Sequence, residues 1–488
     1  MIAFKERGPI GKREMPSIRL CEVRLHRLDM KTRFPFRYGI ASMTDAPHLF
    51  VLANVEVDQK ISRGISADGL PPKWFTKNIN TTFEEDDLPS MLQVIRRAAQ
   101  VGQDINRQPS FFAWWKALYE SQHDWATEKN IPQLLAGFGV SLIERAVLDA
   151  VCRGLGNSLF QVFQRNMLGI DFASVRPELR SRSPADVLPH QPAATVGLRH
   201  TVGLGDVLSS NNTPDVIPPD DDLPFTLEEN IKAYGLRYFK IKLAGDLPTD
   251  RERLEEIASI VAQTADGKAR FTLDGNENYR TISEFREAWS SLTESETVRQ
   301  FFDQSLLFVE QPVHRENALD GSVSVELRAW SDAPPIIIDE SDAELSSLPT
   351  ALSLGYAGTS HKNCKGIMKG LLNAASIHRA NRDGGHFILS AEDLGNVGPV
   401  ALLQDLAMVA TLGISHVERN GHHYFAGLSM FPTPVQQEML THHGDLYTQR
   451  SEFAALHPQQ GLLSIGSINA APFGLQPMIA VEQFVEWN

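Results

Sequence analysis

Cysteine is scarce in this chain: Cys21, Cys152 and Cys364 are the only three among 488 residues, and no two form a C-x-x-C pair. That count and spacing indicate neither a disulfide framework nor a cysteine-based zinc knuckle. Long apolar runs are absent too. None approaches the ~20 residues needed to cross a bilayer, and the start, Met1 to Arg13, is polar with no signal-peptide core, so a cytoplasmic location is expected. Basic charge is short: 46 Lys and Arg face 60 Asp and Glu, a net charge of −14, and there is no Lys/Arg-rich stripe to neutralise phosphates. Neither nucleic acid nor membrane is therefore expected as a partner. No G-x-G-x-x-G follows a strand, and Gly366, Gly370 and the Gly384-Gly385 pair read as turns rather than a phosphate cradle. The composition left over, 42% apolar and 22% charged, is that of an ordinary globular protein. A small molecule is the expected ligand, and homo-oligomerisation is left open.

A chain of this length holds more than one core. Val51, Val55 and Val57 alternate before Asp58-Gln59, and Ile61 resumes the pattern, which predicts a hairpin. Leu135, Phe138, Leu142, Ala146 and Val147 fall at helical spacing, with Ala150 and Val151 extending the stripe and Gly154 ending it. Residues 1–155 are thus expected to form an α+β unit. The polar, proline-rich stretch from Ser209 to Pro224 reads as an exposed insertion, and structure resumes at Thr226-Leu-Glu-Glu229, a capping-box spacing.

From about residue 197 a strand-then-helix unit repeats. Strands are predicted near 198–204, 237–243, 270–275, 306–311, 335–340, 357–363, 386–391 and 413–418. Their spacing is that of βα units, and eight of them point to a parallel (β/α) TIM-type barrel of seven to eight strands over residues 156–430, capped by the α+β unit. Polar residues gather at the carboxyl ends of these strands, the face on which barrels do chemistry. Lys240 and Lys242 are two apart and share a strand face. Asp274, Glu310 and Asp339 end three later strands and could together hold one hard divalent cation through oxygen ligands. Two lysines followed by three carboxylates suggest a metal site facing a base. Lys-x-Lys alone is common on solvated strands, and a carboxylate after a strand is often only a helix N-cap; the ordered set is what the bland reading fails to explain. His416, Glu418, His422 and His423 lack a diagnostic ligand spacing and read as a polar rim rather than a zinc site.

Lys240-x-Lys242, Asp274-Gly275-Asn276, Val309-Glu310-Gln311-Pro312 and Ile338-Asp339-Glu340-Ser341 occur in the order and strand context of the enolase superfamily. The chain resembles its muconate-lactonising-enzyme and mandelate-racemase branches. The resemblance implies a capping domain, whose mobile substrate-covering loop is similar to Phe34-Pro35-Phe36-Arg37-Tyr38-Gly39, with Arg37 reaching substrate. It also implies a carboxy-terminal segment, 431–488, that returns to the cap, and leaves about 157–196 and 207–225 as insertions. Implied too is Mg²⁺-assisted removal of a proton next to a carboxylate, since a Lewis acid stabilises the enediolate that forms. Lys242 would be the base, with Lys240 lowering its pKa and contacting the substrate carboxylate. Asp274, Glu310 and Asp339 would be the ligands, Asn276 and Glu340 their support, with Glu340 the alternative ligand. A second acid or base is expected on strand six, Lys362 first and Lys365 second, because strand seven ends in Glu392-Asp393 and carries no histidine. The outcome would be racemisation, epimerisation or cycloisomerisation; dehydration of an acid sugar, or a non-catalytic barrel that keeps its metal site, are the alternatives.

Overall fold

The computed structural model describes residues 15–210, 216–265 and 267–487. The polar start Met1 to Arg13 and residues 211–215 of the expected insertion lie outside them. Among the described residues no helix is long and apolar enough to cross a membrane.

Three antiparallel strands open the fold: β1 (Ile18–Tyr38), β2 (Ala41–Val57) and β3 (Lys60–Gly69). The predicted hairpin is β2–β3. Asp58 and Gln59 both take positive φ, 46° and 66°, as a two-residue turn matched to strand twist requires. Helices α1 (Leu88–Asp104), α2 (Phe111–Glu128) and α3 (Gln133–Leu155) follow. The α3 helix is buried without a break from Leu134 to Cys152, and its buried charged residues are partnered: Arg145 by Asp68, Asp149 by Arg153, and Glu144 by the Ile367 and Met368 N–H groups. It lies against β3 so closely that a Cβ on Gly64 would stand 2.1 Å from the Ala146 carbonyl. Its end differs from the sequence reading: Gly154 stays helical, and Gly156, at φ 61°, is the left-handed cap. A glycine within a helix merely weakens it, whereas the cap needs the conformation.

The second sheet contains all eight predicted parallel strands: β4 (Thr195–Val202), β5 (Tyr238–Lys242), β6 (Arg270–Asp274), β7 (Leu306–Glu310), β8 (Ile336–Ile338), β9 (Gly358–His361), β10 (Ile388–Ala391) and β11 (His416–Arg419). Each pairs with the next from β4 to β10, and β11 pairs back onto β4. The result is a mixed α/β fold with a curled, parallel-rich sheet. Against the closed barrel expected from sequence, the backbone ladder stays open between β10 and β11. Side chains span that gap: the Asp393 N–H donates to Glu418 Oε2 (3.0 Å), and the Asn420 N–H to Asp393 Oδ2 (3.1 Å). Arg199 of β4 also donates to the Ala391 carbonyl (2.8 Å) while its other nitrogen contacts His416 Nδ1 (2.9 Å).

Past β4, Thr226 caps the helix Leu227–Tyr234 with the predicted capping box. Residues 157–194 form short helices and turns without a strand. Near the end of the chain, Leu462–Ser464 pairs antiparallel with β4, and Val485–Glu486 pairs with β1.

Candidate functional site

Parallel register fixes the level of the site. Lys242, Asp274 and Glu310 are direct partners across β5, β6 and β7, so their side chains leave the sheet side by side. Asp339 and Glu340 lie just past the end of β8, in a turn closed by the Asp342 N–H on the Asp339 carbonyl (3.0 Å). Because the strand has ended there, strict alternation no longer separates them. Both line the same cavity.

That cavity, about 690 Å³ with its mouth, has a charged floor of Lys240, Lys242, Asp274, Asp339, Lys362 and Glu418. Phe36, Tyr38, Ile40, Met43 and Trp74 form an apolar roof. The roof is a β-hairpin rather than the loop expected from Phe34 to Gly39: β1 and β2 stay paired to Tyr38 and Ala41. Arg33 clamps its base, donating to Asp221 (2.5 and 2.8 Å) and to the His423 carbonyl (2.7 Å). Arg37, expected to reach substrate, is exposed and is not among the lining residues; its stem packs on Gly205.

Lys240 is buried, and its ammonium sits among four carboxylates: Glu310 (2.8 Å), Glu392 (3.0 Å), Asp274 (3.1 Å) and Glu418 (3.1 Å). Burial alone would lower its pKa, but those four anions outweigh it and hold the pKa well above the ordinary value. Its charge is therefore neutralised locally instead of facing Lys242. Lys242 Nζ donates to Asp274 Oδ2 (2.6 Å) and lies 3.4 Å from Asn276 Oδ1. Asn276 in turn donates its backbone N–H to Asp274 Oδ1 (2.9 Å).

Lys362 and Lys365 both reach Asp339, at 2.5 and 2.9 Å. Only Lys362 lines the cavity; Lys365 also holds the Asp339 carbonyl (3.1 Å) and Ser360 (3.1 Å) from behind. Burial raises the Glu310 carboxyl well above its usual range, and Glu392, Asp274 and Asp339 add to the effect against Lys240. Burial and then Asp339 raise Glu340 to about 7. The donor set suits a hard divalent cation, being all oxygen, drawn from neighbouring strands and crowded with negative charge. As the side chains stand, no group of three or more His, Cys, Asp or Glu among the described residues is arranged to hold a metal ion, because lysines occupy the carboxylate oxygens.

Sequence reading missed Arg199 and the part played by Glu392. Arg199 is fully buried and pairs with Glu392, which also holds Lys240. Of the residues expected to form a rim, Glu418, His422 and His423 are buried, whereas His416, at the start of β11, is half-buried. His422 Nε2 lies 2.9 Å from His200 Nδ1, His423 faces Asp206 (3.6 Å), and His416 contacts Arg199. The β1–β2 hairpin covers that corner, Phe36 stacking on Tyr424, and so removes it from solvent. Cys21, Cys152 and Cys364 are unpaired.

Fold and site together define an α/β protein whose curled parallel sheet presents a lysine–carboxylate cluster at its carboxyl end beneath an antiparallel cap. Residues 225–445 match the family model described as enolase C-terminal domain-like, so this segment belongs to that family and the resemblance to the enolase superfamily holds. No curated protein sequence matches the chain. Among solved structures, it is similar to a muconate lactonizing enzyme from Pseudomonas fluorescens complexed with muconolactone (TM-score 0.58, 16% identity, covering 96% of this chain and 99% of that one). It is similar also to a dipeptide epimerase from Enterococcus faecalis complexed with Mg and the dipeptide L-Leu-L-Tyr (TM-score 0.58, 14% identity, 93% and 99% covered). An enolase from Bradyrhizobium complexed with magnesium and mandelic acid is a third (TM-score 0.54, 15% identity, 97% and 100% covered).

Proposed function

We propose that this chain is a Mg²⁺-dependent enzyme that moves a proton at the carbon next to a carboxylate: removing and returning it gives racemisation or epimerisation, and delivering it to the enolate formed when an internal carboxylate oxygen adds across a conjugated double bond gives cycloisomerisation. One observation carries the reading: Lys242 and Lys362 line one cavity from β5 and β9, four places apart in the strand order, with Asp274 and Asp339 between them. Two bases so placed address opposite faces of a carbon.

Asp274, Glu310 and Asp339 would hold the cation, whose contribution when bound is Lewis-acid stabilisation of the negative charge on the substrate carboxylate. The chain's own groups do the rest. Lys242 Nζ takes the proton on one face, and Lys362 Nζ takes or delivers it on the other. An ammonium held against a carboxylate cannot accept a proton, so each lysine must first leave Asp274 or Asp339. For Lys362 burial favours the neutral amine, but Asp339 outweighs it and keeps the pKa above the ordinary value. Phe36, Tyr38 and Trp74 exclude water from the reacting carbon. Dehydration of an acid sugar would begin with the same proton removal, but this roof offers few groups that bind hydroxyls.

The test is α-proton exchange in D₂O, followed by NMR over a panel of aryl-substituted acids, N-acylamino acids, dipeptides and sugar acids with Mg²⁺. Exchange of both stereoisomers is expected, with Lys242→Ala abolishing it for one and Lys362→Ala for the other. Absence of exchange across the panel, together with calorimetric Mg²⁺ binding unaltered by Asp274→Asn, would overturn the proposal. Loss of exchange on Lys365→Ala but not on Lys362→Ala would move the second base to Lys365.

A further inference from the structure

A second cavity lies outside the curled sheet, behind the carboxyl ends of β10 and β11. It encloses about 440 Å³ including its opening, and Leu402, Leu428 and Leu456 supply its apolar walls. Asn396 and Arg419 belong to this cavity, whereas their chain neighbours Gly395 and Asn420 line the first. The two chambers are thus separated by the thickness of a backbone.

Among the described residues, five buried polar atoms on four of its lining residues have no hydrogen-bond partner: Tyr447 Oη, Asn396 Oδ1, His422 Nδ1, and Arg419 Nε and Nη1. Buried polar groups in native proteins are almost always paired, so five orphans around one space call for an explanation. Tyr447 is 3% exposed, and its hydroxyl rests against Gly398, where a Cβ would stand 2.0 Å away. His422 is fixed by the contact of its Nε2 with His200. If Nε2 accepts there, Nδ1 carries a proton with nowhere to go; if it donates, Nδ1 is a bare lone pair. The lining carries no uncompensated charge. Arg419 is taken up by Asp405 and by Asp393 (3.5 Å), and burial first, with His200 and other neighbouring cationic groups adding to it, holds His422 well below its ordinary pKa, hence neutral.

We propose that this cavity is a binding site, separate from the lysine–carboxylate site, for a small uncharged molecule with one hydroxyl on a compact hydrocarbon body: an alcohol or phenol. A hydroxyl both donates and accepts, so it can take the Tyr447 proton while giving its own to Asn396 or His422. The leucine walls suit a ring or a short branched chain, and the absence of free charge disfavours an acid or an amine.

The experiment uses the full chain and 4-bromophenol, with cyclohexanol as the non-aromatic probe and cyclohexanecarboxylate as the charged control. In a crystal soaked with 4-bromophenol, the bromine anomalous peak is expected inside this cavity with the phenol oxygen in contact with Tyr447 Oη. In solution, Tyr447→Phe should weaken calorimetric binding of both neutral probes about tenfold, the loss of one hydrogen bond to a buried partner. Leu428→Phe, which fills the space, should abolish it. Bromine only in the first cavity, ordered waters alone in the second, equal binding of the carboxylate, or affinities unchanged by both substitutions would each overturn the proposal. If Leu428→Phe does not fold, the Tyr447→Phe titration and the soaked crystal still decide it.

Discussion

The Lys362 ammonium lies 4.7 Å from the centre of the Trp74 ring and 2.5 Å from Asp339, so a residue of the cap and one from the turn after β8 hold it from two sides. A cation over an aromatic face in a desolvated site is worth about 0.5–2 kcal/mol. Removing the ring should therefore disturb one lysine and spare the other. Trp74→Leu is expected to slow α-proton exchange of the Lys362-dependent stereoisomer roughly tenfold, corresponding to about 1.4 kcal/mol, while Trp74→Phe keeps most of the rate. Equal slowing of both stereoisomers would show that Trp74 acts only as roof.

Lys240 is the counter-ion of four buried carboxylates, so its loss should cost stability more than anything else. Lys240→Met leaves Asp274, Glu310, Glu392 and Glu418 facing one another without the central cation. Breaking a buried ion pair by removing one partner destabilises by about 3–5 kcal/mol. Urea denaturation should show a loss of at least that size, and a variant as stable as wild type would mean the carboxylates find protons at little cost.

Glu144, midway along α3, accepts the backbone N–H groups of Ile367 (3.0 Å) and Met368 (2.7 Å), the first turn of the helix Ile367–Arg382. It thereby ties the cap to the segment that carries Lys362 and Lys365. Glu144→Ala strands both donors, and at about 1–3 kcal/mol each for a buried unpaired group a loss of a few kcal/mol is expected in urea titrations. Burial raises its pKa to about 7, the two N–H groups opposing. An acid raised in the folded state stabilises below its unfolded pKa near 4.5 and loses that contribution as pH climbs toward 7. Glu144→Gln should flatten this fall in stability between those limits.

His48 gives the opposite slope. It is wholly buried, neither ring nitrogen has a hydrogen-bond partner among the described residues, and burial, with Arg145 adding to it, lowers its pKa to about 3. The unfolded chain takes up a proton below about 6.5 while the folded one resists until about 3. Stability is therefore intact above 6.5 and falls as pH drops, by about 1.4 kcal/mol per unit from this residue. His48→Leu should reduce the acid-side slope of unfolding free energy by that amount between pH 6 and pH 4, the range in which it would be measured.

The strand ends were legible because each couples a short apolar or β-branched run to a charged residue at a βα junction; Lys242, Asp274 and Glu310 align by register alone. In the sequence Glu392 stands out only as a strand-end position without histidine. A strand as short as Ile388–Ala391, with Ser390 inside it, carries too little alternation to say which way its flanking residues face. Arg199 was illegible for a related reason, since a buried arginine is rare and its partners lie 191 residues or more further on. The family resemblance of Phe34 to Gly39 implies a loop, where the structure has a paired hairpin. Pro35 falls in the break of register between Lys31 and Phe36, where no ladder bond is asked of it, so the hairpin continues past it.

The gap between β10 and β11 gives the sheet a seam of a different kind from its other joints. Backbone ladders are written in atoms that almost every residue type shares, so a substitution seldom unpicks them. Here the joint is spelled by identity: Asp393, Glu418 and Arg199 each make bonds that a neighbouring residue type could not. Mutation can therefore reach the closure of this fold one letter at a time. The same three side chains lead directly to the carboxylates around Lys240, so a substitution at the seam also disturbs the charges at the centre of the site.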